Sequence, residues 1–278
     1  MPTVPNVVLN NGVTIPQLGF GTFKVPPDET AAVVGEALAT GYRHLDTAQM
    51  YGNETGVGQA VADSRLDRSE VFVTSKLNNG FHSHDAAIAA FDASLHRLGF
   101  DYLDLFLIHW PLPARDEYVQ AWLALEELYA QGRVRAIGVS NFHQEHLRRV
   151  IAEGSVIPAV NQVEVHPYLV QDPLRAFCAE LGIVIEAWSP IARGQVLTDP
   201  VVRGIAEEVQ RSPAQVVLRW AIQRGDIVFP KSMNPDRMRE NFELFDFVLS
   251  EPQMVAITAM DRGHRTGPNP EEFNFVSR

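Results

Sequence analysis

The stretch His44-Leu45-Asp46-Thr47-Ala48-Gln49-Met50-Tyr51-Gly52-Asn53-Glu54 sets a carboxylate and a phenol five residues apart. It starts as an apolar strand and ends as a polar loop. Lys76 and His109 each close another strand-like run further along. A free tyrosine has a pKa of about 10, so it is a poor acid and a poor base at neutral pH. An ammonium beside the phenol favours phenolate and lowers that pKa, and a carboxylate paired with the ammonium holds it charged and in place. Asp46, Tyr51, Lys76 and His109 at successive strand ends therefore suggest a proton-donating tyrosine tuned by charged neighbours. Reducing a carbonyl needs that chemistry. An Asp46–Lys76 pair could equally be structural.

A second polar set is Lys231-Ser232-Met233-Asn234-Pro235-Asp236-Arg237. Its lysine and arginine lie six residues apart, across a loop that enters a helix at Pro235. They can converge on a phosphate, the arginine as a fork and the lysine as a point charge. Solvated surface charge is the alternative, but the chain is acidic, with formal charge −11, and a local basic pair needs a reason. The pairs His143-x-x-His146 and His82-x-His84 have no third or fourth ligand spaced nearby, so they read as solvated positions and not as a metal site.

Composition narrows the class. Hydrophobic residues make up 46% and charged residues 21%, as in an ordinary globular protein. A pI of about 5.3 argues against nucleic acid or an anionic membrane as partner. The longest apolar runs, such as Leu105 to Ile108, fall far short of a membrane span. Met1-Pro2-Thr3-Val4-Pro5 lacks the basic and apolar regions of a secretory signal. One cysteine, Cys178, excludes an intrachain disulfide; it reads as core, and a cytoplasmic setting is expected.

The elements that must position these groups alternate regularly. Val7 to Leu9 and Val13 to Ile15 flank Asn10-Asn11-Gly12 as a hairpin. Eight candidate strands follow: Leu18 to Gly21, His44 to Thr47, Val71 to Lys76, Leu103 to His109, Arg135 to Ser140, Ala159 to Val165, Val184 to Ser189 and Ile227 to Lys231. Helical stretches lie between them: Glu29 to Thr40, Glu54 to Asp63, Asp85 to Leu98, Glu117 to Gln131, Gln144 to Glu153, Asp172 to Leu181, and Pro200 to Gln210 with Pro213 to Arg224. Pro252 to Met260 comes last. Gly41, Gly99, Gly132, Gly182 and Gly225 read as helix stops. Strict alternation implies parallel strands with crossover helices. Eight units match an α/β fold of the (β/α)8 TIM barrel type, one domain over 1–278, with an N-terminal β-hairpin and a loop tail from Asp261. The competitor, a doubly wound sheet, would bind a dinucleotide at Gly-x-Gly-x-x-Gly. Gly19-Phe20-Gly21 opens that pattern, but position 24 is Lys24.

A TIM barrel carries its active site at the C-terminal strand ends. Those ends hold Asp46 with Tyr51, Ser75-Lys76, His109-Trp110, Ser140-Asn141, Gln162 with Glu164, Trp188-Ser189, and Lys231-Ser232. Any one of them has an ordinary structural explanation; their co-occurrence does not.

Over nearly its whole length the chain resembles the aldo-keto reductases. The likeness rests on Leu18-Gly19-Phe20-Gly21-Thr22-Phe23, Gly41 to Ala48 with Tyr51-Gly52-Asn53-Glu54, and Thr74-Ser75-Lys76-Leu77. It continues in Asp104 to Pro111, Gly138 to Phe142, Asn161 to Pro167, and Pro230-Lys231-Ser232 with Arg237 and Glu240-Asn241. Lys24 to Pro27 and Asn241 to Phe247 resemble the short bacterial branch typified by 2,5-diketo-D-gluconate reductase.

The resemblance implies NADPH-dependent reduction of aldehydes and ketones to alcohols, with no metal. Sugar-derived keto acids, α-dicarbonyls and keto esters are candidate substrates. Tyr51 would be the general acid, tuned by Lys76 and Asp46, with His109 orienting the carbonyl. Ser140, Asn141 and Gln162 would clasp the carboxamide and Trp188 would stack on the nicotinamide. Thr22 would lie near the ribose, Ser189 and Ile191 near the pyrophosphate. Lys231, Ser232 and Arg237 would take the 2′-phosphate, and Glu240 and Asn241 the adenine. Short relatives suggest a monomer.

Three features depart from the usual pattern. Asn78 follows Lys76-Leu77 where many relatives carry Trp, Phe23 stands for the usual first-loop Trp, and the loops at Pro111 to Glu117 and Ala192 to Asp199 are short. These features predict an open, less aromatic pocket lined by Phe23, Tyr51, Asn78, Trp110 and the tail. The alternative function is a non-catalytic NADPH-binding barrel serving as sensor or regulatory subunit. A metal-dependent barrel hydrolase is a weaker third reading.

Overall fold

The computed structural model describes residues 4–276. Strands β1 (Asn6–Val8) and β2 (Thr14–Pro16) pair antiparallel as the expected hairpin. Gly12 turns it at φ 83°, a conformation that favours glycine. The hairpin buries Ile15 and Leu9 against Phe72, Leu105, Leu107 and Ile227. It thus packs against side chains of three barrel strands at once.

Eight strands then form one parallel sheet among the described residues: β3 (Phe20–Gly21), β4 (His44–Asp46), β5 (Phe72–Leu77), β6 (Leu103–Ile108), β7 (Val134–Ser140), β8 (Val160–Glu164), β9 (Val184–Trp188) and β10 (Ile227–Val228). They neighbour one another in chain order, and a bridge between Leu18 and Val228 joins the two edges. Gly19 N donates to Val228 O at 2.8 Å and Val228 N to Gln17 O at 3.0 Å. The (β/α)8 barrel expected from the alternation is the fold observed.

The helices are α1 (Thr30–Thr40), α2 (Glu54–Asp63), α3 (His84–Leu98), α4 (Tyr118–Ala130), α5 (Gln144–Glu153), α6 (Asp172–Glu180), α7 (Pro200–Val209), α8 (Pro213–Gln223), α9 (Pro235–Phe242) and α10 (Glu251–Thr258). The five glycine stops read from the sequence all adopt positive φ, from 69° to 120°. β6 shows why its run is apolar on both faces. Leu105 and Leu107 join the interior cluster with the hairpin, whereas Phe106 and Ile108, on the opposite face, join the larger cluster with the helices. Phe91 of α3 meets Phe106 edge-on at 5.0 Å. Cys178 is fully buried, as expected of core.

Some boundaries differ from the sequence reading. The last strand ends at Val228 instead of Lys231, because Pro230 has no N–H for the ladder. The seventh ends at Trp188, because Ser189 turns to φ 50°. His109 lies just past β6.

The tail is an ordered strap. Arg262 N and His264 N donate to Tyr168 O, and Thr266 and Gly267 donate to Glu164. Glu271 pairs with His143, Ala114 N donates to Asn274 Oδ1, and Asn79 Nδ2 donates to Phe275 O at 2.8 Å. These anchors carry it past the loops that follow β8, β7, β6 and β5.

Candidate active site

Asp46 is the last residue of β4 and Lys76 lies one short of the end of β5, so parallel register brings both to the same rim. Tyr51 ends the one-turn helix Gln49–Tyr51. Lys76 Nζ donates to Asp46 Oδ1 and Oδ2 at 2.7 and 2.8 Å, to Thr47 O at 2.9 Å, and to the Tyr51 hydroxyl at 3.4 Å. Lys76 is wholly buried, so these partners account for every proton of its ammonium. The Tyr51 and His109 rings meet edge-on at 5.7 Å. The four expected catalytic residues form one cluster.

Burial alone would lower the Lys76 pKa, but the Asp46 carboxylate outweighs it and the ammonium is held charged. For Tyr51 the outcome corrects the sequence reading. Lys76 does pull its pKa down, but burial raises it by more, and the phenol is held above its ordinary value. The resting residue is a neutral phenol beside a cation. Burial, with Lys76 and His82 nearby, holds His109 far below the usual imidazole range, so its ring is neutral. Its Nδ1 is buried and unpartnered.

The residues behind Tyr51 build the support. Asn53 accepts from Thr47 Oγ1 at 2.9 Å and donates to Thr22 O and Val25 O. Glu54 accepts from Ser75 Oγ and Arg97 Nε, each at 2.6 Å. Thr22 donates both N–H and Oγ1–H to Asp46 O. The loops after β3 and β4 are thereby locked together, with the Phe23 ring 5.0 Å from that of Tyr51.

Ser140, Asn141, Gln162 and Trp188 also converge. Trp188 Nε1 donates to Asn141 Oδ1 at 2.8 Å, and Asn141 Nδ2 donates to His109 O and Ser140 Oγ. Asn141 holds φ 64°, which Asn tolerates better than most residues. Gln162 Nε2 donates to Asp46 Oδ2 at 2.8 Å, linking this group to the catalytic cluster. A Cβ on Gly267 would come within 2.4 Å of the Trp188 ring, so the tail presses on that indole.

The loop after β10 runs beside β3. A Cβ on Gly21 would stand 2.6 Å from Phe229 O and 3.8 Å from Lys231 Cβ. Asn234 caps α9 by accepting from Asp236 N and Arg237 N, and Ser232 is buried under the turn. Lys231 and Arg237 are exposed and enter no ion pair among the described residues, whereas neighbouring Arg239 pairs with Glu36 and Asp236. Glu240 and Asn241 occupy the last turn of the same helix; Ser189 and Ile191 open the turn after β9.

The mouth differs from the less aromatic pocket read from the loops. The strap lays Phe273 on Trp110, with centroids 4.3 Å apart, and Phe275 near Phe273. Asn78 Oδ1 accepts from Gly80 N, so that side chain shapes its own turn. Sequence reasoning passed over Glu186 and Asn79, both buried polar residues, and it read His82 and His146 as solvated, whereas both rings are buried. The signal for Glu186 was present: it stands two residues before Trp188, hence on the same face of β9. His143 and His146 face Glu271 on the strap, and among the described residues no group of three such side chains could hold a metal.

A parallel barrel with this cluster at its C-terminal rim defines an α/β-barrel oxidoreductase site. Residues 17–262 match the Aldo/keto reductase family, and the chain belongs to that family. It is 51% identical to an aldo-keto reductase of Mycolicibacterium smegmatis, over 98% of this chain and 99% of that one. It is 47% identical to glyoxal reductase of Bacillus subtilis, over 99% and 100%. A variant of the protein Gox0644, solved in complex with NADPH, superposes with TM-score 0.95 at 45% identity, covering 99% of this chain and 100% of that one.

Proposed function

We propose that the protein is an NADPH-dependent reductase of small aldehydes and ketones, α-dicarbonyls foremost. The observation that carries this is the buried Asp46–Lys76 pair beside a neutral phenol. The glyoxal reductase relative and the NADPH complex of Gox0644 support the substrate class and the cofactor.

The residues present suit the cofactor. Gln162 has both amide hydrogens committed to protein, which leaves its side-chain oxygen for a carboxamide N–H. Trp188 offers an aromatic face, and the unpaired Lys231 and Arg237 suit a phosphate dianion. When bound, NADPH supplies a hydride to the carbonyl carbon.

The chain's own residues handle the proton. Tyr51 donates its O–H to the carbonyl oxygen as negative charge builds there. His109, neutral and with no acceptor for a proton on Nδ1, carries it on Nε2 and donates to the same oxygen. The phenolate left on Tyr51 is stabilised by the Lys76 ammonium and regains its proton from solvent. Asp46 keeps that ammonium charged throughout. General acid catalysis contributes about 10²–10⁴-fold, and the remaining acceleration comes from positioning. Phe23, Trp110 and the strap's Phe273 wall the entrance with apolar surface that favours compact, uncharged carbonyls.

The test is NADPH oxidation against methylglyoxal, phenylglyoxal, keto esters, 2,5-diketogluconate and aromatic aldehydes. The proposal expects turnover, greatest with the α-dicarbonyls. NADPH binding with no turnover on any of them would favour a sensor or regulatory barrel.

A further inference from the structure

Glu186 is a wholly buried carboxyl on β9, at the register position opposite Gln162 of β8. Its Oε2 accepts from Gln162 Nε2 at 2.8 Å, and the same nitrogen donates to Asp46 Oδ2 at 2.8 Å. One amide nitrogen therefore bridges two carboxyl groups. The other oxygen, Oε1, has no hydrogen-bond partner and lies 3.9 Å from His44 Nε2.

That geometry constrains the charges. Lys76 supplies one positive charge, and Asp46 neutralises it at 2.7 Å. A second anion across a single amide nitrogen would be buried without a counter-ion, so the two carboxyls do not both ionise readily. The groups facing Glu186 leave little else to compensate: His44 and Asp46 from β4, Lys76 from β5 and Gln162 from β8, with only apolar Ile227 and Val228 on β10. His44 is neutral, since burial lowers its pKa to about 3. Burial and the Asp46 charge push Glu186 up to about 8. Its proton belongs on Oε1, because Oε2 receives the Gln162 N–H.

We propose that Glu186 is a positioning residue which, as a neutral acid, clamps the Gln162 amide between itself and Asp46, so that the Gln162 oxygen faces the cofactor and the catalytic cluster keeps a single buried anion. This rests on the reading of Gln162 as a cofactor contact. Ionisation of Glu186 adds a second anion beside Lys76, raises the Tyr51 pKa further and weakens it as an acid. Reduction therefore slows as pH rises through the Glu186 ionisation. Glu186→Gln mimics the neutral acid: its amide oxygen still accepts from Gln162, and it does not ionise.

Two readouts test this. In the cofactor-free protein, infrared spectroscopy should show a carboxylic-acid C=O band at neutral pH that fades through about pH 8 and is missing in Glu186→Gln. No such difference between the two proteins overturns the proposal. In turnover, the wild type should lose rate through the same range while Glu186→Gln runs flat; an unchanged break in Glu186→Gln assigns it to Tyr51 and overturns the proposal. NADPH affinity should stay within about twofold in Glu186→Gln and fall roughly tenfold in Glu186→Leu. Equal affinity in all three removes the positioning role. If Gln162→Ala then binds NADPH as the wild type does, the cofactor reading of Gln162 falls as well; if Gln162→Ala alone binds weakly, that reading stands and only the part assigned to Glu186 falls.

Discussion

Lys76 grips Asp46 more closely than it touches Tyr51: its Nζ stands 2.7 and 2.8 Å from the two carboxylate oxygens and 3.4 Å from the phenol oxygen. The lysine is thus anchored by the acid and only leans on the tyrosine. In the resting state the phenol keeps its proton, and the longer contact can shorten as phenolate forms. Asp46 has a structural and a chemical part, because both depend on the same buried ammonium.

Removing the lysine should therefore cost stability as well as turnover. Lys76→Met leaves Asp46 buried beside Glu186 with no cation. Breaking a buried pair from one side costs about 3–5 kcal/mol, and urea unfolding would measure it. A loss below about 1 kcal/mol would mean that the pair is solvated and not a buried anchor.

The basic loop decides cofactor choice. Arg237→Ala should weaken NADPH by about 2 kcal/mol, roughly 30-fold, the value of a charge-assisted hydrogen bond. NADH, which lacks the 2′-phosphate, should change little. Fluorescence titration with both cofactors checks this, and equal losses would show that Arg237 does not read the phosphate.

Acid should destabilise the fold through its buried histidines. Burial lowers His44 to about 3 and His82 to about 4, and holds His109 well below its ordinary 6.5. The unfolded chain binds those protons below 6.5 while the folded one does not. Their stability contribution is therefore complete above 6.5 and is lost as pH falls toward each folded value. Glu186 acts in the opposite sense, since it is protonated when folded and ionised when unfolded between 4.5 and about 8. From these four groups the net uptake on unfolding is about two protons, so their contribution to stability should rise by roughly 2–3 kcal/mol per pH unit between about pH 5 and 6, with His143 and His146, also lowered by burial, acting in the same sense. His82→Gln should reduce that slope by about one proton; an unchanged slope would mean that His82 titrates normally when folded.

The strap should report on Trp188. A methyl at Gly267 would sit 2.4 Å from the indole, and such overpacking typically costs about 1–3 kcal/mol. Gly267→Ala should alter tryptophan fluorescence and weaken NADPH binding together. No change in either would separate the strap from the cofactor site.

The barrel was legible because a strand followed by a helical stretch recurs eight times, with glycine stops at five of the turns, and each signal is local. Asp46, Tyr51, Lys76 and His109 were legible because ionisable groups at apolar strand ends are costly unless used. Glu186 was not, since one carboxylate inside Val184-Ile185-Glu186-Ala187-Trp188 gains meaning only from Gln162 and Asp46, which are 24 and 140 positions away. The aromatic mouth was hidden similarly: Phe273 lies in a Gly- and Pro-rich tail, and long-range anchors, among them those at Glu164, His143, Ala114 and Asn79, lay it on Trp110. The direction of the Tyr51 shift was misread because burial, which outweighs Lys76, is not written in residue spacing.

Tyr51→Phe, assayed for both NADPH affinity and methylglyoxal reduction, tests the catalytic proposal most directly. It deletes one oxygen and leaves the ring against Phe23 and His109. NADPH affinity should stay within about twofold of the wild type and kcat should fall by at least about 10²-fold. A Tyr51→Phe enzyme that reduces methylglyoxal at a near wild-type rate would contradict the proposal.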